Sequence, residues 1–151
     1  MLATGRSKRF EERRPLSLRL SVRCPGCPDS QWEEFTRTLD ISSLGARFTL
    51  RHRVETGRLL HLSLTAMPRH LRAFDHGATE YRVWALVRSV ETVSDSDSGE
   101  EWYEVGVAFT GKSAPEGYLT DPGKRYDLKP VPSKHTLWSI REQPRQQLIG
   151  G

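Results

Sequence analysis

This sequence predicts an all-β domain, on three observations. Apolar and polar residues alternate through several short runs, the pattern of half-buried strands. Six such runs lie before residue 110, separated by turn-rich connections, and that spacing points to an antiparallel barrel or sandwich. No apolar period of 3.6 in the same region is long enough for a convincing helix. Closing the sheet would also remove its exposed edges.

The elements follow in order. From Leu16 to Arg23, Leu16, Leu18, Leu20 and Val22 fall on one side and Ser17, Arg19, Ser21 and Arg23 on the other. Cys24-Pro25-Gly26-Cys27-Pro28-Asp29-Ser30 is turn-rich and ends that strand. Glu33 to Leu39 resumes extended character, with Phe35 and two threonines. Asp40-Ile41-Ser42-Ser43-Leu44-Gly45 reads as a turn, and Ala46 to Leu50 as a short strand. Arg58 to Thr65 is leucine-rich and follows Gly57. Tyr81 to Val90 sets Tyr81, Val83, Ala85 and Val87 against Arg82, Trp84, Leu86 and Arg88. Trp102 to Thr110 keeps Tyr103, Val105, Val107 and Phe109 in phase. Ser94-Asp95-Ser96-Asp97-Ser98-Gly99 between these last two is an acidic hairpin loop. After Thr110 the pattern fades, and five of the nine prolines fall there. The expectation is an irregular, Pro-rich tail with at most a short helix near 134–143, packed through Tyr118, Tyr126, Leu137 and Trp138. The chain divides into a basic N-terminal arm at 1–14, a β-domain at 15–112 and a C-terminal tail at 113–151.

Composition bounds the function. The chain has 151 residues, 36% hydrophobic and 28% charged, enough for one modest core. No apolar run reaches the length of a membrane-spanning helix. The polar, basic N-terminus has no apolar segment after it, so no ordinary secretory signal is expected and the chain reads as cytoplasmic. The charge is uneven. Residues 1–14 carry Arg6, Lys8, Arg9, Arg13 and Arg14 against Glu11 and Glu12, residues 15–110 are slightly acidic, and residues 111–151 are basic again. A basic arm on a near-neutral body suits an anionic partner.

Cys24 and Cys27 are the two cysteines. Zinc needs four ligands, and none of His52, His61, His70, His76 and His135 supplies a close paired spacing beside them; only His70 and His76 formally fit, across a long gap. A redox pair normally opens a helix, whereas this one sits between strands. Reduced thiols and no metal site are the expectation. Trp32, Trp84, Trp102 and Trp138 read as core or cover. No nucleophile with a base, no phosphate loop and no paired-carboxylate motif appears, so no enzyme is expected.

Two motifs carry chemistry. Arg9-Phe10-Glu11-Glu12-Arg13 leads into the first strand. Arginine's planar fork donates paired hydrogen bonds to phosphate or to the O6/N7 edge of guanine, and its flat face stacks on a base. Asp40-Ile41-Ser42-Ser43-Leu44-Gly45 adds a carboxylate, a hydroxyl and a residue without a side chain at a turn. In order and separation, the two resemble the signatures of the PilZ domain, a receptor module for cyclic di-GMP. Gly106 to Phe109 resembles the Gly-x-x-Phe close of that family, and the resemblance covers roughly residues 6–112.

The resemblance implies a six-stranded antiparallel β-barrel with its ligand on the outer surface. Arg9 and Arg13 would contact phosphates and guanine, Asp40 and Ser42 would hydrogen-bond guanine or the arm, and Gly45 would leave room for the base. Lys8 and Arg14 are possible additional contacts, since Arg13 and Arg14 are adjacent and either could be the second arm arginine. The expected function is a cyclic di-GMP receptor, with no cofactor, that signals by changing shape and contacting an unknown protein. The alternatives are a non-binding adaptor of the same fold and, third, a small nucleic-acid-binding barrel. The last is disfavoured by the acidic body and by the lack of an evident aromatic, basic strand face.

Overall fold

The inward halves of the alternating runs meet in one core. In the computed structural model, which describes residues 15–25, 31–118, 120–129 and 137–144, six strands form it: β1 (Arg19–Arg23), β2 (Glu33–Ile41), β3 (Gly45–Leu50), β4 (Leu59–Thr65), β5 (Glu80–Ser94) and β6 (Glu101–Gly111). They pair antiparallel in the order β1-β2-β3-β6-β5-β4, and β1 pairs with β4 to close the barrel. Leu20, Val22, Phe48, Leu62, Tyr81, Val83, Val107 and Phe109 are among the side chains that fill it. Each such side chain contributes roughly 1.5–3 kcal/mol when fully buried. The alternation that the sequence shows in β1 and in the first half of β5 is the alternation of burial in the barrel, whereas β6 is buried throughout Val105 to Phe109, with Val105, Val107 and Phe109 in the core. No helix among the described residues is long and apolar enough to cross a membrane.

One pair of leucines faces the other way. Leu59 and Leu86 are cross-strand partners whose side chains lie outside the barrel core. Tyr118 and Tyr126 from the tail cover them in a second apolar cluster. The covering segment forms two short strands, β7 (Tyr126–Leu128) and β8 (Ile140–Glu142), paired antiparallel. Two short strands thus stand within the tail that the sequence reads as irregular, and the described part of the stretch read as a possible short helix holds β8. Three-residue strands are too short to show a period of two, so the outward leucines are the better signal. Tyr118, Tyr126 and Leu137 are buried, as the sequence suggested, and Trp138 packs against the main core.

The hydroxyls of Tyr118 and Tyr126 are buried and find no hydrogen-bond partner among the described residues. Burial pushes both phenol pKa values up. An unsatisfied buried hydroxyl is costly. Tyr126→Phe is therefore expected to raise unfolding stability by about 1 kcal/mol in urea melts. A loss of similar size would show that the hydroxyl has a partner after all.

Cys24, buried beyond the end of β1, is disulfide-bonded. The expectation of reduced thiols is thereby corrected, because residue spacing does not report redox state. Cys27 lies outside the described residues.

Candidate functional site

The site residues are set by an irregularity in β2. From Glu33 to Thr38, odd-numbered side chains point outward and even-numbered ones are more buried. A bulge between Thr38 and Asp40 then leaves Leu39 without a partner in the pairing of β2 with β3. An extra residue reverses the phase of everything after it. Ile41 enters the core, and Asp40 turns to the outer face rather than into the barrel. Without the bulge this carboxylate would point toward apolar side chains.

The turn after β2 is held tightly. The Ser42 backbone N–H donates to the Gly45 carbonyl at 2.9 Å, and the Ser42 hydroxyl accepts from the Leu44 N–H at 3.1 Å. The same hydroxyl lies 3.4 Å from the Gly45 carbonyl, to which it donates. Ser42 is only 1% exposed, so it shapes the turn from inside. The Leu44 carbonyl accepts from the Phe109 N–H at 2.8 Å, which ties the turn to the last barrel strand. Gly45 is buried and pairs with Ala108 where β3 begins.

Arg9 and Arg13, and the additional Lys8 and Arg14, lie outside the described residues. The segment that follows them is fixed, however. Thr38, 2% exposed, accepts at its hydroxyl from the Leu18 N–H at 2.8 Å and donates to the Leu16 carbonyl. Its own N–H donates to the Leu18 carbonyl at 2.9 Å. Leu16 and Leu18, which follow the arm in sequence, are thus held at Thr38, two residues along the chain from Asp40.

Arg47 is a site residue the sequence reading missed. It is the cross-strand partner of Asp40, and its Nε donates to Asp40 Oδ2 at 2.9 Å. Its Nη1 reaches Glu104 Oε1 at 3.3 Å. The hydrogen bond to Asp40 and that carboxylate's charge raise the Arg47 pKa further. Arg47 reaches Glu104 across Gly106, where a Cβ would lie 2.6 Å from Ser89 Oγ and 3.7 Å from Arg47 Cγ. The close neighbour that a Cβ would meet is Ser89 Oγ, while the arginine stem would be only in ordinary van der Waals contact with it. Only the register of three strands brings these groups together, and no local pattern announces it. The arrangement is an outer-face carboxylate paired with one arginine that Glu104 shares, and such a carboxylate can accept from guanine N–H groups or from further arginines.

Residues 7–119 of the chain match the PilZ domain. No curated protein matches the chain. Similar solved structures include Bacillus subtilis MotI/DgrA, an inhibitor of motility, at 16% identity and TM-score 0.48, covering 71% of this chain and 44% of that one. Another is K. pneumonia MrkH in complex with c-di-GMP, at 16% identity and TM-score 0.48, covering 70% of this chain and 45% of that one. A third is the PilZ domain of YcgR from Escherichia coli with c-di-GMP, at 13% identity and TM-score 0.45, covering 77% of this chain and 87% of that one. The chain spans less than half the length of the first two.

Proposed function

We propose that this chain, which belongs to the PilZ domain family, is a cytoplasmic receptor for cyclic di-GMP that passes the signal on by protein contact. The observation that carries this reading is the Thr38 clamp. It holds Leu16 and Leu18, the residues that follow the arginine-bearing arm in sequence, at Thr38, two residues along the chain from an outward Asp40, which supports an arm that reaches this carboxylate. In this reading Arg9 and Arg13 hold the phosphates and stack on or fork to guanine. Lys8 and Arg14 add charge. Asp40 accepts from guanine or from the arm, Ser42 keeps the turn in shape, and Gly45 leaves the base room. The ligand is the only small molecule required, and no reaction is assigned to the chain. The units are an arm at 1–14, a barrel at 15–112 and a tail at 113–151.

A second reading is a ligand-free adaptor of the same fold. It is favoured by the inward turn of the Ser42 hydroxyl and by the Arg47 ion pair already on Asp40. A tryptic digest separates the two. Fixing a backbone residue costs about 1–2 kcal/mol, so the arm is held only when several contacts form together. Saturating cyclic di-GMP is expected to slow cleavage after Lys8, Arg9 and Arg13, while cleavage between residues 124 and 145 stays unchanged. Equal arm cleavage with and without ligand would remove the conformational part of the proposal.

A further inference from the structure

The outer face of β2-β1-β4-β5 is unlike the rest of the barrel surface. Phe35 stands on it with 77% of its surface exposed. Arg19 and Arg37 are direct cross-strand partners beside it, and neither has a carboxylate partner among the described residues. Like charges facing each other across a strand pair are destabilising unless an anion comes between them. Arg23, loosely matched by Glu33 at 3.7 Å, extends the positive charge along the face, and Arg82 beyond it is hydrogen-bonded to Glu80 at 3.2 Å. Half-buried His61, beside them, has its pKa pushed down by burial and then by the charges of Arg23 and Arg82. Two shallow grooves run along this face, of about 490 and 280 Å³, and share Ser21, Phe35, Ser63 and Glu80. The sequence hid this aromatic, basic face because its members come from four strands.

The same chain carries the complement. Residues 91–104 hold six acidic side chains and no basic one. They form the β5–β6 hairpin, whose tip reaches past its neighbours. Pairing with β3 stops at Tyr103, and pairing with β4 stops at Leu86. Glu91, Asp97, Glu100 and Glu101 are exposed and make no ion pair among the described residues. Val93 and Trp102, cross-strand partners near the tip, are half-buried and add apolar surface.

We propose that this chain associates with a second copy of itself, the acidic β5–β6 hairpin of one molecule lying on the Phe35–Arg19–Arg37 face of the other. Carboxylates of the hairpin would stand opposite the unmatched arginines, and the Trp102–Val93 pair would cover Phe35. When the contact is reciprocal it closes a two-fold dimer. A nucleic-acid strand fits this chemistry less well, because the hairpin repels phosphate and the grooves contain Glu33 and Glu80. The inference does not depend on cyclic di-GMP.

Sedimentation analysis of the full chain tests it, with far-ultraviolet circular dichroism as the check on folding. The mass is expected to rise from monomer toward dimer between low and several hundred micromolar protein. Raising salt from about 0.05 to about 0.5 M should weaken the association by roughly tenfold or more, since exposed charges are then largely screened. The double variants R19E/R37E and D97K/E101K should each be monomeric alone. Mixed together they should form a heterodimer, because both contacts are complementary again. A wild type that stays monomeric in low salt, variants that self-associate as well as wild type, or a mixture that stays monomeric would each overturn the proposal. So would a monomer whose Phe35 face instead takes up a single-stranded oligonucleotide.

Discussion

Arg9→Ala and Arg13→Ala are each expected to weaken cyclic di-GMP binding by about 1.5–3 kcal/mol, the worth of hydrogen bonds to a charged group. That is on the order of a 10- to 150-fold rise in Kd. The double variant should bind too weakly to measure at ordinary protein concentrations. Thermal melts of all three should match the wild type, as expected of side chains that serve the ligand and not the core. Arg14→Ala resolves the register: a loss as large as that of Arg13→Ala would make both arginines ligands. Normal binding by both single variants, with the barrel intact, would show that the arm is not the phosphate site.

Phe109→Ala should have the largest effect on stability. Phe109 is fully buried, and its ring lies 6.4 Å from that of Tyr81, edge to face. Removing a buried phenylalanine ring costs about 3–5 kcal/mol, from lost transfer energy and the cavity left behind. Its backbone N–H also holds the Leu44 carbonyl, so the variant links core and site. In urea unfolding the midpoint should fall sharply. Ligand affinity should then fall through the reduced folded fraction, and saturating cyclic di-GMP should recover part of the stability by mass action. A stability change under 1 kcal/mol would mean the barrel core is not packed around this residue.

The barrel was legible because its strands keep one face dry. Leu20 and Val22, or Tyr81, Val83, Ala85 and Val87, alternate in sequence as they do in burial. The site was legible only in part. Asp40, Ser42 and Gly45 fall in a local motif, but their placement depends on the Leu39 bulge, which shows only in pairing with β3. Asp40 therefore reads as a turn residue in sequence and is a strand residue in the fold. Arg47 and Glu104 are 57 residues apart in sequence and meet only through strand register. The outward Leu59–Leu86 pair is apolar where the alternation calls for polar residues, but local periodicity cannot say that the distant Tyr118 and Tyr126 cover it.

Isothermal titration of the full chain with cyclic di-GMP, beside GMP and cyclic di-AMP, tests the receptor reading most directly. A saturable complex with cyclic di-GMP of micromolar Kd or tighter is expected, on the order of −8 kcal/mol or better. GMP and cyclic di-AMP should bind far more weakly, since the first lacks the second phosphate–guanine half and the second keeps N7 but presents an N6 amino donor where guanine has the O6 acceptor that arginine forks to. No binding of cyclic di-GMP at tens of micromolar folded protein, or equal binding of all three, would contradict it.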